Sequence, residues 1–170
     1  LARARERAAA ERLSIDFVEG DAEQLPFAAA SFDAAVSTFG VMFAPDQERA
    51  AREMTRVVRR GGKIALANWT PEGFVGRMLV TVAKHVPPPA GVASPIYWGN
   101  ESRLRELFPD VALFHSRRRM FVFRYESFEH FLATFRDYYG PTHKALSALD
   151  VPGQARLTED LRELVKQFQN

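Results

Sequence analysis

Short apolar runs separated by loops occupy the first 70 positions, and longer stretches with helical spacing take over after residue 127. Residues 1–13 (LARARERAAAERL) read as a helix that lacks a capping residue ahead of it. Residues 15–18 form a brief apolar run ending at Gly20-Asp21, which predicts a strand followed by a loop. Phe32–Thr38 (FDAAVST) is apolar toward both faces and suits a buried parallel strand.

Asp46 is placed to cap a helix whose apolar face is Ala50, Ala51, Met54, Val57 and Val58. Arg59 and Arg60 are expected at its end, with Gly61-Gly62 as the stop. Residues 63–69 (KIALANW) then predict a second buried strand, and strand–helix–strand implies an α/β domain with a crossover connection. Further on, helices are expected within 71–86 and at 101–108. The segments 111–115 and 119–125 are strand-like around a turn at 116–118 and predict a late antiparallel hairpin. Helices follow at 127–139, 142–149 and 154–168, the first capped by Ser127.

Composition narrows the function classes. The 170 residues are 46% hydrophobic and 26% charged, with formal charge +2, so one folded domain is expected rather than a disordered chain. The balance of 23 basic and 21 acidic residues announces neither a nucleic-acid nor a membrane partner. Arg117, Arg118 and Arg119 sit at the expected hairpin turn, where solvation accounts for them. Without cysteine there is no thiolate nucleophile, zinc–thiolate site or disulfide framework. No apolar run approaches the roughly 18 residues of a membrane span, and a cytoplasmic location is the expectation. His85, His115, His130 and His143 have no metal-ligand spacing, so no metal is expected.

The informative signal is an ordered series. Gly20-Asp21-Ala22 follows the first expected strand, then come Leu25-Pro26-Phe27, Ser31-Phe32-Asp33, Ser37-Thr38-Phe39-Gly40 and RVVRRGGK from Arg56 to Lys63. The loops after the first two strands fall at the carboxyl edge of the sheet, where open α/β sheets bind ligands. In this order and spacing the first 70 or so residues resemble the second half of the class I methyltransferase core, within the broad group that includes the ubiquinone/menaquinone-biosynthesis methyltransferases.

The resemblance implies S-adenosylmethionine as cofactor and methyl transfer to a small-molecule acceptor. It implies that Asp21 accepts from the adenine amino group and that the Ala22 backbone meets the ring. Gly20 forms the turn before them, and Leu25, Pro26 and Phe27 wall the base. Ser37, Thr38 and Phe39 fall beside the methionine part. An acceptor pocket drawn from Phe43, Trp69, Tyr97, Trp98 and Tyr139 is a weaker expectation, since these rings equally serve as core. Methyl transfer needs alignment and desolvation more than a catalytic triad, so no catalytic residue is assigned.

The resemblance also implies a fold class: α/β, a Rossmann-like sheet lacking its first strands, with a late antiparallel hairpin and C-terminal helices. Residues 1–125 would be the partial core and 126–170 a helical extension of the same domain. No Gly-x-Gly occurs in the sequence. The chain is therefore read as an N-terminally truncated fragment, inactive alone, with residues 15–18 poorly paired. Two other classes stay open. A nicotinamide-dependent oxidoreductase would want Tyr-x-x-x-Lys, which is absent. The other is a non-catalytic or RNA-associated methyltransferase-like module.

Overall fold

The structure, a computed structural model, describes residues 1–169. It is mixed α/β, with a small parallel sheet of two strands, β1 (Phe32–Thr38) and β2 (Val58–Ala67). Helix α1 (Ala2–Ala10) precedes them and α2 (Gln47–Val57) joins them. The remaining helices are α3 (Phe74–His85), α4 (Glu101–Leu107), α5 (Phe128–Tyr138), α6 (Gly140–Ala148) and α7 (Val151–Phe168). Short 3-10 turns lie at Val41–Phe43 and Pro95–Gly99.

Helix α2 begins where its sequence says it should. The Asp46 carboxylate accepts from the Arg49 amide at 2.9 Å, satisfying one of the free N–H groups of the first turn. Ala50, Ala51, Met54 and Val57 are buried, the apolar face expected except for Val58, which begins the following strand. Ser127 likewise caps α5 by accepting from the His130 amide at 3.1 Å. Asp150 caps α7 through the Gly153 amide at 2.8 Å.

The exit from α2 differs from expectation. The strand starts at Val58, directly after the helix, so Arg59 and Arg60 belong to β2. Arg59 therefore pairs with Asp33 on the neighbouring strand instead of sitting on the helix dipole. Gly61, at φ +75°, takes the left-handed turn that a side chain resists, and the pairing jumps from Phe32↔Val58 to Ala34↔Lys63. From there the register is regular to Thr38↔Ala67, and the Phe39 amide extends it with a bond to the Ala67 carbonyl at 2.9 Å.

Two expected β features do not form among the described residues. Residues 15–18 make no strand, and Ile15 and Val18 are about half exposed. A strand needs a neighbour for its backbone groups, and β1 pairs only with β2. The hairpin over 111–125 is also absent: no ladder joins the two segments to each other or to β2. Residues 121–125 are held through side chains instead. Phe123 reaches Trp69, Phe74 and Phe135, with ring centroids 5.9, 5.9 and 6.0 Å away. Tyr125 meets Phe131 at 5.5 Å. Leu113, Met120 and Val122 point to solvent.

One core joins the sheet side to the helices. Met42, Met78, Trp98, Leu157 and Leu161 are its most deeply buried large apolar side chains. Helix α7 lies along α3, and His85 and Asp160 tie the two at 2.7 Å. The turn carrying Trp98 packs hard against the end of β2. A Cβ on Gly99 would stand 2.1 Å from the Trp69 carbonyl oxygen, so glycine is required there for contact, not for conformation. No helix among the described residues is long and apolar enough to cross a membrane.

Candidate functional site

An open concavity of about 440 Å³ lies where β1, the loop before it and α2 converge. Its lining includes Ala22, Leu25 and Phe27 from the loop, Val36, Ser37 and Gly40 from β1 and its exit, and Met54 and Val57 from α2. This volume falls in the range of small-ligand sites, and the lining is mostly apolar with few polar groups.

Of the cofactor residues expected from the sequence, Ala22, Leu25, Phe27 and Ser37 line the concavity directly. Asp21 stands next to it and is exposed; its Oδ1 accepts from the Glu23 amide at 2.9 Å, a local turn that fixes the carboxylate. Gly20 precedes it, and a Cβ there would meet Pro26 at 2.8 Å, so the loop closes on itself at that point. The Ser37 hydroxyl accepts from the Val41 amide at 3.0 Å and so holds the turn leaving β1. Thr38 ends the strand, exposed.

Phe39 lies one step beyond. Its backbone is left-handed at φ +59°, a conformation that costs a bulky residue, so the surroundings must hold it there. Two contacts do so: the amide bond to Ala67 and a stack on the Trp69 indole, centroids 4.2 Å apart and planes 15° from parallel.

The five acceptor candidates differ in their surroundings. No ring contact joins any two of Phe43, Trp69, Tyr97, Trp98 and Tyr139 among the described residues. Trp98 is wholly buried, edge-on to Phe108, and Tyr139 is against Phe135 at 5.2 Å. Phe43 and Tyr97 are exposed. Asn68, the residue before Trp69, donates its side-chain Nδ2 to the Trp98 carbonyl at 2.9 Å. Tyr139 is unusual in one respect. Its hydroxyl is buried with no partner among the described residues, and burial pushes the phenol up to about 12.

Residues to which the sequence assigned no role at the loop set its shape. Glu53 and Arg56 lie one turn apart on α2, the guanidinium bonding the carboxylate at 2.6 and 2.7 Å. Glu53 accepts from the Leu25 amide at 2.8 Å, and Arg56 donates to the Phe27 carbonyl at 2.8 Å and the Leu25 carbonyl at 3.1 Å. Glu23 is fastened as well: its carbonyl accepts from Arg49 at 2.7 Å and its carboxylate from the Asp46 amide at 2.7 Å. The i,i+3 pairing was visible in sequence. Its reach across 28 and more positions to loop backbone was not.

With this geometry in hand, comparison with known proteins places the chain. Residues 1–66, which contain the loop, β1, α2 and most of β2, match the family profile described as methyltransferase domain. This part of the chain is thus similar to the methyltransferase domain, a family whose members generally use S-adenosylmethionine. Over 173 aligned residues the chain is 42% identical to an uncharacterized protein of Mycobacterium tuberculosis H37Rv, and 37% identical to a second one from the same strain. Each alignment takes in 99% of this chain and 63% of the relative, so the chain spans less than two thirds of their length. The demethylmenaquinone methyltransferase of Deinococcus radiodurans is 40% identical over 90 residues, 52% of this chain and 37% of that enzyme.

Proposed function

We propose that the chain carries the adenine-binding side of an S-adenosylmethionine site in an enzyme that methylates a small-molecule acceptor. The observation that carries this reading is the concavity along β1 from Phe32 to its exit at Gly40, walled by the loop from Ala22 to Phe27, inside the segment that matches the methyltransferase domain. Its size, apolar walls and adjacent fixed carboxylate suit a nucleoside: a planar base against Leu25 and Phe27, its exocyclic amine donating to Asp21.

When bound, S-adenosylmethionine would supply an electrophilic methyl group. The protein's own task is to align and to exclude water. Leu25, Phe27, Met54 and Val57 remove water from one side. Ser37, by fixing the turn to Val41, sets where the chain leaves β1 and where Phe39 presents its ring. The acceptor is proposed to approach along Phe39 and Trp69, the aromatic pair at the ends of the two strands. The name of the Deinococcus relative makes a ring-bearing acceptor one candidate to include in a panel.

Neither Gly-x-Gly nor a grip on the ribose is found in this sequence, so cofactor affinity of the isolated chain is proposed to be weak. Thermal unfolding with excess ligand tests the reading. S-adenosylmethionine at roughly 10 mM should raise the melting temperature while NADH at the same concentration leaves it unchanged. The reverse pattern would favour the nicotinamide class and overturn the proposal.

A further inference from the structure

Helix α2 serves the concavity with two faces. Met54 and Val57 line it, while Glu53 and Arg56, beside them on the helix, hold the loop that forms the opposite wall. The loop is fastened at successive points. Glu23 meets Arg49 and the Asp46 amide, Leu25 meets Glu53 and Arg56, Phe27 meets Arg56, and the Ala30 amide donates to the Arg56 carbonyl at 2.8 Å. Every hydrogen bond from the stretch Leu25 to Ala30 to helix α2 runs through Glu53 or Arg56. The two cannot act separately, because Glu53 orients the guanidinium that reaches the loop carbonyls.

The loop has no regular structure that would hold it otherwise. Between Gly20 and Ser31 its own backbone makes only the Gln24-to-Asp21 and Phe27-to-Leu25 bonds. Taken together they are the most sheltered ion pair among the described residues, with side-chain exposures of 35% for Arg56 and 16% for Glu53. A partly desolvated, bidentate pair with backbone partners on three further atoms is a geometric lock rather than a surface ornament.

Resting on the cofactor reading above, we infer that Glu53 and Arg56 are positioning residues that set adenine-end affinity through Leu25 and Phe27 without touching the cofactor. Their effect should therefore be confined to the end of the ligand that the loop covers. Loss of either should act as loss of both, since they form one unit.

The test titrates the isotope-labelled 170-residue chain with S-adenosylmethionine and, separately, with 5′-methylthioadenosine, reading dissociation constants from amide shifts. Amide exchange at Leu25 reports the lock, and exchange at Ala51 and Ile64 reports the fold. In E53A and R56K, Leu25 should lose protection, Ala51 and Ile64 should keep theirs, and both ligands should bind about tenfold more weakly. The E53A/R56K double variant should be no weaker than either single one. E53Q should recover part of the loss, because its amide oxygen still accepts from Leu25. Unchanged affinity in E53A and R56K alongside a freed Leu25 amide would overturn the inference while leaving the site in place. A Leu25 amide that stays protected in both variants would overturn it too, by showing that the pair does not hold the loop. If E53A fails to fold, R56K, which keeps the positive charge beside Glu53, decides the matter alone. No binding by the unmodified chain would instead bring down the cofactor reading itself, and this inference with it.

Discussion

Phe39 lies flat on Trp69, centroids 4.2 Å apart, while its backbone sits at φ +59°. The stack joins the residue after β1 to the second residue after β2, so it fastens together the two strand ends, of which that of β1 borders the concavity. Stacking of this kind contributes about 0.5–1.5 kcal/mol beyond area burial, and a left-handed non-glycine residue costs about 1–3 kcal/mol. Phe39→Ala loses the stack and keeps the strain, whereas Phe39→Gly loses both. Urea denaturation should find Phe39→Gly more stable than Phe39→Ala by about 1 kcal/mol. Equal midpoints would mean that the backbone is not strained at this position.

Asp21 is tied to the Glu23 amide, and the same carboxylate is proposed to accept from adenine. Asp21→Ala should weaken S-adenosylmethionine binding by about 10- to 100-fold, the equivalent of one hydrogen bond to a charged acceptor. Asp21→Asn, which can still cap the turn, should preserve the melting temperature and lose less affinity. Wild-type affinity in Asp21→Ala would leave Asp21 a turn residue only.

The hydrogen bond from Arg56, helped by the Leu25 amide, pulls the Glu53 carboxyl down from 4.5 to about 2. A carboxyl whose pKa is lower in the folded state stabilises above its ordinary range and loses that contribution as pH falls through the folded value. The stability difference between the unmodified chain and Glu53→Gln should be about 1–2 kcal/mol at neutral pH. It should shrink between about pH 5 and pH 2. A difference that does not change over that window would show that the charge on Glu53 contributes nothing to the lock.

Tyr139 holds a buried hydroxyl without a partner among the described residues. Removing an unsatisfied buried group costs nothing and can gain about 1 kcal/mol. Tyr139→Phe should therefore match or exceed the unmodified chain in chemical denaturation, and a loss above about 1 kcal/mol would reveal a hydrogen bond to that hydroxyl.

What the sequence disclosed follows a physical line. Asp46, Ser127 and the apolar face of α2 act locally, within one or two helical turns, and were legible. The strand Phe32–Thr38 was legible because its helix and partner strand follow within 30 residues. Residues 15–18 and 111–125 have the composition of strands, yet a strand exists only where another backbone runs alongside, and none does here. The exit of α2 was misread because Arg59 and Arg60 suit a helix end as well as a strand facing Asp33. In the candidate site the motif order led to the loop and the end of β1. The Glu53–Arg56 lock stayed hidden because its partners are backbone atoms, which no side-chain pattern encodes. The five acceptor aromatics were chosen by type, and type does not distinguish the buried Trp98 from the exposed Tyr97.

The central claim is that the concavity between the loop, β1 and α2 receives S-adenosylmethionine. Its most direct test is a map of amide shifts on the isotope-labelled chain during titration with S-adenosylmethionine up to roughly 10 mM, where even millimolar binding is visible. Saturable shifts clustered at Ala22, Leu25, Ser37 and Gly40, leaving α6 and α7 undisturbed, are the predicted result. No saturable shift, or shifts gathered on the helices away from the concavity, would contradict it.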